Sequence, residues 1–224
     1  MNQPAVAVTG LGDWRLDTVV RRRRLLASLA VAVLIAVPRA GLAQTAGGDP
    51  GKFMANLGNQ VIQLIGNRQA PVAQRKQKFT QLMNQSFDVD GIARFVLGRY
   101  WRTASASERQ QFEQVFDKYM IDVYWGHFNQ YTGQRFVVMR NQPEGDGTTL
   151  VTSQIIQPSG QQPVKVVWRV TNHGGQYRIT DVSIEGVSEL VTYRQEFSSA
   201  ISQNGGNVAT LINQLRQKDQ EIGG

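Results

Sequence analysis

The spacing of apolar side chains changes twice along the chain, and this constrains the fold more than any other feature. Residues 52–131 place apolar side chains three and four positions apart, as amphipathic helices do. Residues 135–185 alternate apolar and polar side chains, as strands do, and helical spacing returns from Val187. The order predicts an α+β fold, in which N-terminal and C-terminal helices wrap a twisted antiparallel sheet of about four strands.

Glycine-containing turns divide the sheet region into hairpins. The predicted strands are 135–140, 150–157, 164–170 and 177–185. In the last of them the apolar set slips phase between Ile179 and Val182. This slip predicts a β-bulge near Thr180 or Asp181.

The helical region before the sheet carries recognisable helix starts. Asp90 is predicted to cap a short helix, and Ser105 with Glu108 fits a capping box that opens a long one. The predicted inner face of the long helix is Phe112, Val115, Phe116, Tyr119, Met120, Val123 and Phe128.

The N-terminus has the order of a secretory signal. Arg21–Arg24 form a positive cluster, Leu25–Val37 an apolar run, and small residues precede a cleavage site after Ala43. A transmembrane anchor is the alternative, but a helix over these 13 residues is about 20 Å long, short of a hydrocarbon core of about 30 Å. We therefore expect a secreted protein.

The predicted domain boundaries follow from this signal. Residues 1–43 are the signal with an upstream extension, 44–51 a flexible leader, 52–218 a single domain and 219–224 a tail. Without residues 1–43 the chain keeps 18 basic and 15 acidic residues and no Lys/Arg block, so nucleic acid is not an expected partner. The chain has no cysteine, which excludes disulfides and thiolate chemistry.

Candidate catalytic and metal-binding groups are few. His127 and His173 are the two histidines, and neither has a second ligand at the spacing of a zinc site. Asp181 and Glu185 stand four apart on a predicted strand and could in principle do acid–base work, although a structural role is the simpler account. We expect no catalytic residue, metal or cofactor.

Large apolar and aromatic side chains are plentiful instead. They concentrate on the long helix, on the segment before it and on one face of the sheet. Composition favours an ordinary filled core, but a filled core and a hollow one use the same residue types. Periodicity leaves both open.

Several segments resemble one family in order and spacing. Residues 90–102, 107–112, 116–133, 181–197 and 206–215 are similar to the MlaC-type, or toluene-tolerance, proteins, and the resemblance covers roughly residues 52–218. Glu189 with Leu190 and the Gly/Gln-rich turns depart from the pattern and point to a subfamily such as the hopanoid-associated, HpnM-like proteins.

The resemblance implies a periplasmic carrier whose helices and sheet surround a deep apolar cavity for phospholipid acyl chains. It further implies two partners, an inner-membrane ABC transporter complex with an MCE-domain ring and an outer-membrane lipoprotein complex. The implied role is to maintain outer-membrane lipid asymmetry. Hopanoid or another apolar lipid is the alternative cargo.

On this basis we expect the sheet face with Val166, Trp168 and Val170 to oppose the inner face of the long helix across the lipid. Extra bulk at Val170 should then displace lipid and spare the fold. The full set of expected lipid-binding residues is Phe95, Tyr100, Phe116, Tyr119, Met120, Val123, Val137, Met139, Val151, Ile155, Val166, Trp168, Val170, Val182, Ile184, Val187, Leu190 and Tyr193.

Two other classes of function remain open at this stage. A cone-shaped enzyme resembling nuclear transport factor 2 would need convergent polar groups, for which Asp181 and Glu185 are the candidates. An interaction domain with a solid core would need neither a cavity nor catalytic groups.

Overall fold

A computed structural model describes residues 48–128, 131–158 and 160–223, without the side chain of Phe128. The predicted signal segment 1–43 and its cleavage site lie outside the described residues. Seven helices and five strands form within these ranges. No helix in them is both long and apolar enough to cross a membrane.

The helices flank the sheet in sequence. Those before it are α1 (Pro50–Gly66), α2 (Val72–Ser86), α3 (Val89–Leu97), α4 (Tyr100–Thr103) and α5 (Ala106–Phe128). Those after it are α6 (Glu189–Gln203) and α7 (Val208–Gly223). The α+β class and the helix–sheet–helix order are as predicted.

The strands form one open antiparallel sheet in the order of the chain. They are β1 (Arg135–Gly145), β2 (Thr148–Ile156), β3 (Val164–His173), β4 (Gln176–Ile184) and β5 (Val187–Ser188). The prediction of about four strands lacked only the two-residue β5, which pairs with the end of β4 just before α6 begins.

The predicted bulge is present in β4. Arg169 pairs with Asp181, but Val170 pairs with Ile179, so Thr180 is the extra residue. Because side chains alternate between faces, the extra residue returns the apolar set of β4 to the face that carries Val170.

The first strand is longer than predicted. It continues through polar residues to Gly145, because these residues pair with the start of β2. Pro143 within it is tolerated since β1 is an edge strand, where a missing N–H costs no ladder hydrogen bond.

Two helix starts differ from those predicted from the sequence, and a third agrees with its prediction. Asp49 accepts from the N–H of Gly51 at 2.8 Å, so α1 begins inside the predicted leader. Asp88, not Asp90, caps α3 by accepting from the N–H of Gly91 at 3.2 Å. The capping box that opens α5 is confirmed, as the Ser105 N–H donates to the Glu108 carboxylate at 2.8 Å and the Glu108 N–H donates to Ser105 Oγ at 3.2 Å.

The last helix reaches Gly223 and so includes residues 219–223 of the predicted tail. Asp219 is buried and forms an ion pair with Lys118. Lys118 also pairs with Asp122 at 2.9 Å, and Lys76 pairs with Asp122 at 2.6 Å. Burial disfavours the charged form of Asp122, but the lysines outweigh it and hold the pKa of this carboxyl below its usual value. This network joins α2, α5 and α7.

The buried side chains form three groups. One lies between α1 and the sheet and contains Met54, Leu57, Val151, Val170 and Ile179. A second joins α1, α2 and α5 and contains Ile65, Phe79, Ile121 and Trp125. The third is an aromatic set between α5 and α6, with ring centroids 5.5–6.3 Å apart, formed by Phe112, Phe116, Tyr193 and Phe197.

Candidate functional site

A narrow apolar pocket lies where α2, α3, α5 and α6 meet β4, with a free volume of about 50 Å³. Its apolar lining is Met83, Phe87, Val89, Ile92, Phe116, Met120, Ile121, Val182 and Leu190. Its polar lining is Asn84, Asp117, Tyr124, Asp181 and Glu189. We call this cavity the apolar pocket.

Two local structures attach the walls of the pocket to β4. Phe87 forms a parallel bridge with Ile179, and the N–H of Asp88 donates to the Ile179 carbonyl at 3.0 Å, which fixes the α2–α3 connection. Ser188 caps α6 and donates its hydroxyl to Asp181 at 2.8 Å, which fixes the start of that helix. The bridge at Phe87 and the cap at Ser188 are both anchored to β4, and together they fix which side chains enter the pocket.

The pocket is too small for acyl chains in this conformation. A buried water needs roughly 10–15 Å³ by a comparable measure, whereas sites for drug-sized ligands span roughly 300–1,000 Å³. The deep cavity implied by the resemblance is therefore closed here. A lipid can enter only if the helical walls separate from the sheet.

A polar cleft adjoins the apolar pocket and shares Asn84, Phe87, Val89 and Asp117 with it. Its volume is about 560 Å³. The remaining lining is polar: Asp88, Asp90, Gln110, Glu113, Gln114 and Arg178. Carboxylates predominate in this cleft, since Asp88, Asp90, Glu113 and Asp117 face one cation, Arg178.

Carboxylates lie unusually close to the apolar lining. Burial raises the pKa of Glu189 to about 6, and the nearby charges of Asp181 and Glu196 contribute. Burial also raises the pKa of Glu196, which Lys218 partly offsets. Glu189 thus titrates near neutral pH at the wall of the pocket.

The opposite wall carries a second perturbed acid. Burial raises the pKa of Asp117, against a hydrogen bond of 3.4 Å from Asn84 that favours its charged form. Burial also raises the pKa of the Tyr124 phenol, so that this side chain stays neutral. Asp117 is therefore protonated more readily than an exposed aspartate, and Tyr124 contributes a neutral phenol to the lining.

The structure brings some of the predicted lipid-binding residues together. Phe116, Met120, Val182 and Leu190 line the apolar pocket. Tyr193 lies behind them, with its ring centroid 6.3 Å from that of Phe116.

The structure packs the centre of the predicted lipid-facing sheet surface against α1. Val151 and Val170 are fully buried in the cluster with α1, and Trp168 packs on the same cluster. Extra bulk at the fully buried Val170 is therefore expected to overpack the core, whereas the sequence analysis expected it to spare the fold.

The other predicted residues lie away from the pocket lining. Phe95, Met139 and Val187 are exposed, and Val137 lies on the sheet face opposite Val138. Val166 and Ile184 pair with each other in the sheet, and Ile155 pairs with Val164. Tyr100 and Tyr119 are buried, while Val123 is half-buried; none of the three lines the pocket.

Sequence reasoning missed much of the lining, including Phe87, Val89, Ile121, Tyr124 and Glu189. On α5 the signal was present, because Phe116, Met120 and Tyr124 recur every four residues on one face. The sequence analysis placed the pocket-facing side of α5 about one residue too far toward Tyr119.

The polar candidates have structural partners. Asp181 accepts from Ser188 Oγ and from the N–H of Val182, and Glu185 accepts from the N–H of Lys165 at 2.6 Å. Of these two acids only Asp181 lines the pocket. The described ranges contain no cluster of three or more His, Cys, Asp or Glu side chains that could hold a metal.

Comparisons with known proteins agree on one family. Residues 55–217 match the sequence profile of the family described as MlaC protein. The chain is 26% identical over 125 residues to the intermembrane phospholipid transport system binding protein MlaC of Haemophilus influenzae, covering 54% of this chain and 58% of that protein. It is 21% identical over 158 residues to the toluene tolerance protein ttg2D of Pseudomonas putida, covering 67% and 73%.

The fold is also similar to a solved structure. A phospholipid-binding protein of Ralstonia solanacearum, solved in complex with a phospholipid, superposes with a TM-score of 0.64 at 22% identity. The match covers 80% of this chain and all of that one. At this identity the likeness concerns the fold.

Proposed function

The chain belongs to the MlaC family, and from that premise we propose that it is a phospholipid carrier. The apolar pocket between β4 and the surrounding helices takes the acyl chains, and the head group stays outside the pocket, near solvent. The observation that carries the proposal is this apolar pocket in a member of a family that includes an intermembrane phospholipid transport system binding protein.

The energetics favour such an arrangement. Each methylene group moved into water costs about 0.8 kcal/mol, so a diacyl lipid with roughly thirty of them costs over 20 kcal/mol to carry bare. Separation of the helical walls from β4 is opposed by the apolar contacts of the closed pocket. Burial of the acyl chains offsets that cost, so the carrier opens around cargo and closes without it.

The proposed cellular setting follows the family and the N-terminal pattern. Residues 1–43 direct export to the periplasm and are removed after Ala43. There the carrier exchanges lipid with an inner-membrane ABC transporter complex bearing an MCE ring and with an outer-membrane lipoprotein complex, maintaining outer-membrane lipid asymmetry. Exchange between similar apolar environments needs no chemical step, so we propose no catalytic role.

The two histidines support this view. Burial lowers the pKa of His127, and its ring lies 6.5 Å from that of Tyr124, as expected of a packed residue. His173 is exposed at the end of β3. Replacing either histidine by Ala should leave lipid binding within about twofold of the original, whereas a loss above tenfold with an intact fold would contradict a role without catalysis.

Solvent extraction of the protein recovered from the periplasm of an expressing cell, followed by mass spectrometry, tests the proposal. We expect stoichiometric phospholipid, a large loss in Leu190→Gln at the pocket, and no loss in the matched variant Ile222→Gln on the exposed face of α7. A hopanoid-like lipid in the extract would reassign the cargo. Protein free of any lipid would overturn the proposal.

A further inference from the structure

A group of arginines and aromatic rings covers the surface formed by α3, α4, the start of α5 and α6. We call it the arginine–aromatic patch; its members are Arg94, Phe95, Arg99, Trp101, Arg102, Arg109, Val191 and Arg194. Phe95 is 39% exposed and Val191 is 44% exposed. The patch contains no lysine.

Direct contacts order several arginines of the patch on aromatic rings. The guanidinium groups of Arg94 and Arg109 each lie 5.5 Å from the Trp101 ring, and that of Arg194 lies 4.9 Å from the Phe95 ring. These contacts hold the guanidinium groups in place on rigid rings, so little side-chain entropy is lost when they bind an anion.

Further contacts extend the patch along α4. Arg109 donates to the backbone carbonyl of Arg102 at 3.3 Å. Arg99 lies 4.8 Å from the Tyr100 ring and donates to its hydroxyl at 2.7 Å. Arg94, Arg102 and Arg109 therefore gather around Trp101. Arg194 lies on Phe95 of the same helix, α3, that carries Arg94, and Arg99 follows that helix in the connection to α4.

The positive charge of the patch is not neutralised within the described part of the chain. None of its arginines forms an ion pair there. The nearest acids in sequence have other surroundings, since Glu108 binds Ser105, and Asp90 and Glu113 line the polar cleft. Glu196, two residues after Arg194, is half-buried and interacts electrostatically with Lys218. An anionic surface would relieve the repulsion among the arginines, and guanidinium groups bind phosphates in a bidentate manner.

Two observations favour a bilayer as the occupant. First, arginine and aromatic residues occur at protein interfaces too, but the patch exposes only Phe95 and Val191 as large apolar side chains, which is little for the buried core of a specific protein interface. Arginines around a few apolar and aromatic side chains suit the depth of lipid head groups. Second, α3 carries Phe95 and also supplies Val89 and Ile92 to the apolar pocket, so docking by this helix brings a pocket wall to the bilayer.

We propose that the arginine–aromatic patch docks the protein on the surface of a bilayer that carries anionic phospholipids. The assignment goes beyond the carrier function and does not depend on what the pocket holds. Docking is electrostatic at long range through the arginines and is completed by shallow insertion of Phe95.

Flotation with vesicles tests the docking surface. The protein recovered from the periplasm is mixed with vesicles of phosphatidylcholine alone or of phosphatidylcholine with a minority of phosphatidylglycerol. Arg94→Gln with Arg102→Gln removes two charges that make no hydrogen bond through their side chains among the described residues. Each charge is worth about fivefold in binding, so we expect the double variant to bind the anionic vesicles roughly 25-fold less.

A matched variant controls for net charge. Arg135→Gln with Arg140→Gln removes two exposed charges from β1, away from the patch, and should change binding less than twofold. Phe95→Ser should weaken binding without changing its dependence on salt. Arg94→Lys with Arg102→Lys keeps the positive charge at both positions and should bind within about threefold of the original.

The outcomes separate docking from cargo binding. The Gln variant of the patch should still co-purify with lipid, which shows a folded carrier that fails to dock. Equal losses in the patch and control variants would overturn the proposal, since only net charge would matter. If the unaltered protein binds neither kind of vesicle, the proposal is wrong and an acidic protein surface becomes the occupant to test.

Discussion

Two valines on one face of the sheet offer a direct test of where the protein is hollow. Val182 lines the apolar pocket and is only partly buried where it packs against the edge of the cluster with α1, whereas Val170 is fully buried within that cluster. Replacing each by Phe adds the same four carbon atoms at the two sites. The same change therefore meets free space at one site and close packing at the other.

The magnitudes differ accordingly. At Val182 the added carbons have a volume comparable to the free space of about 50 Å³, so we expect stability to change by less than about 1 kcal/mol. At Val170 the ring must displace packed neighbours, which costs roughly 1–3 kcal/mol or more. A ring in the pocket displaces about three methylene groups of an acyl chain, each worth about 0.8 kcal/mol, so lipid binding at Val182→Phe should fall roughly 50-fold.

Urea denaturation followed by tryptophan fluorescence measures the first quantity, and mass spectrometry of extracted lipid measures the second. The reasoning predicts a stable but lipid-poor Val182→Phe and a destabilised Val170→Phe. It is refuted if Val182→Phe is destabilised as much as Val170→Phe, or if it retains its full lipid content.

Three further predictions concern single side chains. The pKa of Glu189 is raised to about 6, so its charge opposes folding above that pH. After solvent screening and the favourable helix dipole are discounted, Glu189→Gln should be more stable than the original by about 0.5–1 kcal/mol at pH 8. In urea titrations this gain should vanish below about pH 4.5. Because the pKa of Asp122 is lowered, its charge stabilises the fold above the ordinary carboxyl pKa, and this stabilisation is lost as the pH falls through the lowered pKa. Asp122→Asn should lose roughly 1–3 kcal/mol of unfolding free energy at pH 7 by urea denaturation, and equal stability there would contradict the ion-pair network. Ser153 Oγ accepts from Trp168 Nε1 at 2.8 Å, so Ser153→Ala should cost about 1 kcal/mol in thermal unfolding, and an unchanged Tm would mean that the indole finds another acceptor.

Local sequence signals were sufficient for much of the fold. The phase slip in β4 located the bulge at Thr180, because a period-two pattern can resume on the same face only if one residue is added. The capping box at Ser105 and Glu108 was readable because both partners lie within one turn of helix. Hairpin turns likewise gave the strand order, since consecutive antiparallel strands pair.

The sequence did not determine which helix covers which part of the sheet. Periodicity placed Trp168 and Val170 on an apolar face, but it carries no information on the partner, and α1 rather than α5 packs there. The lining residues Phe87 and Val89 were also missed. They come from the α2–α3 connection and the start of α3, whose position depends on the bridge between Phe87 and Ile179. The size of the cavity depends on such tertiary placements and has no sequence signature.

The most direct test of the carrier account is to map where a bound acyl chain lies. The protein is loaded with a phospholipid that carries a photoreactive group near the end of one acyl chain, and cross-linked peptides are identified by mass spectrometry. The account predicts cross-links at residues of the apolar pocket such as Met83, Met120 and Leu190. Cross-links at Met54 or Leu57, which α1 contributes to the cluster against the sheet, would contradict it, and so would cross-links at surface residues alone.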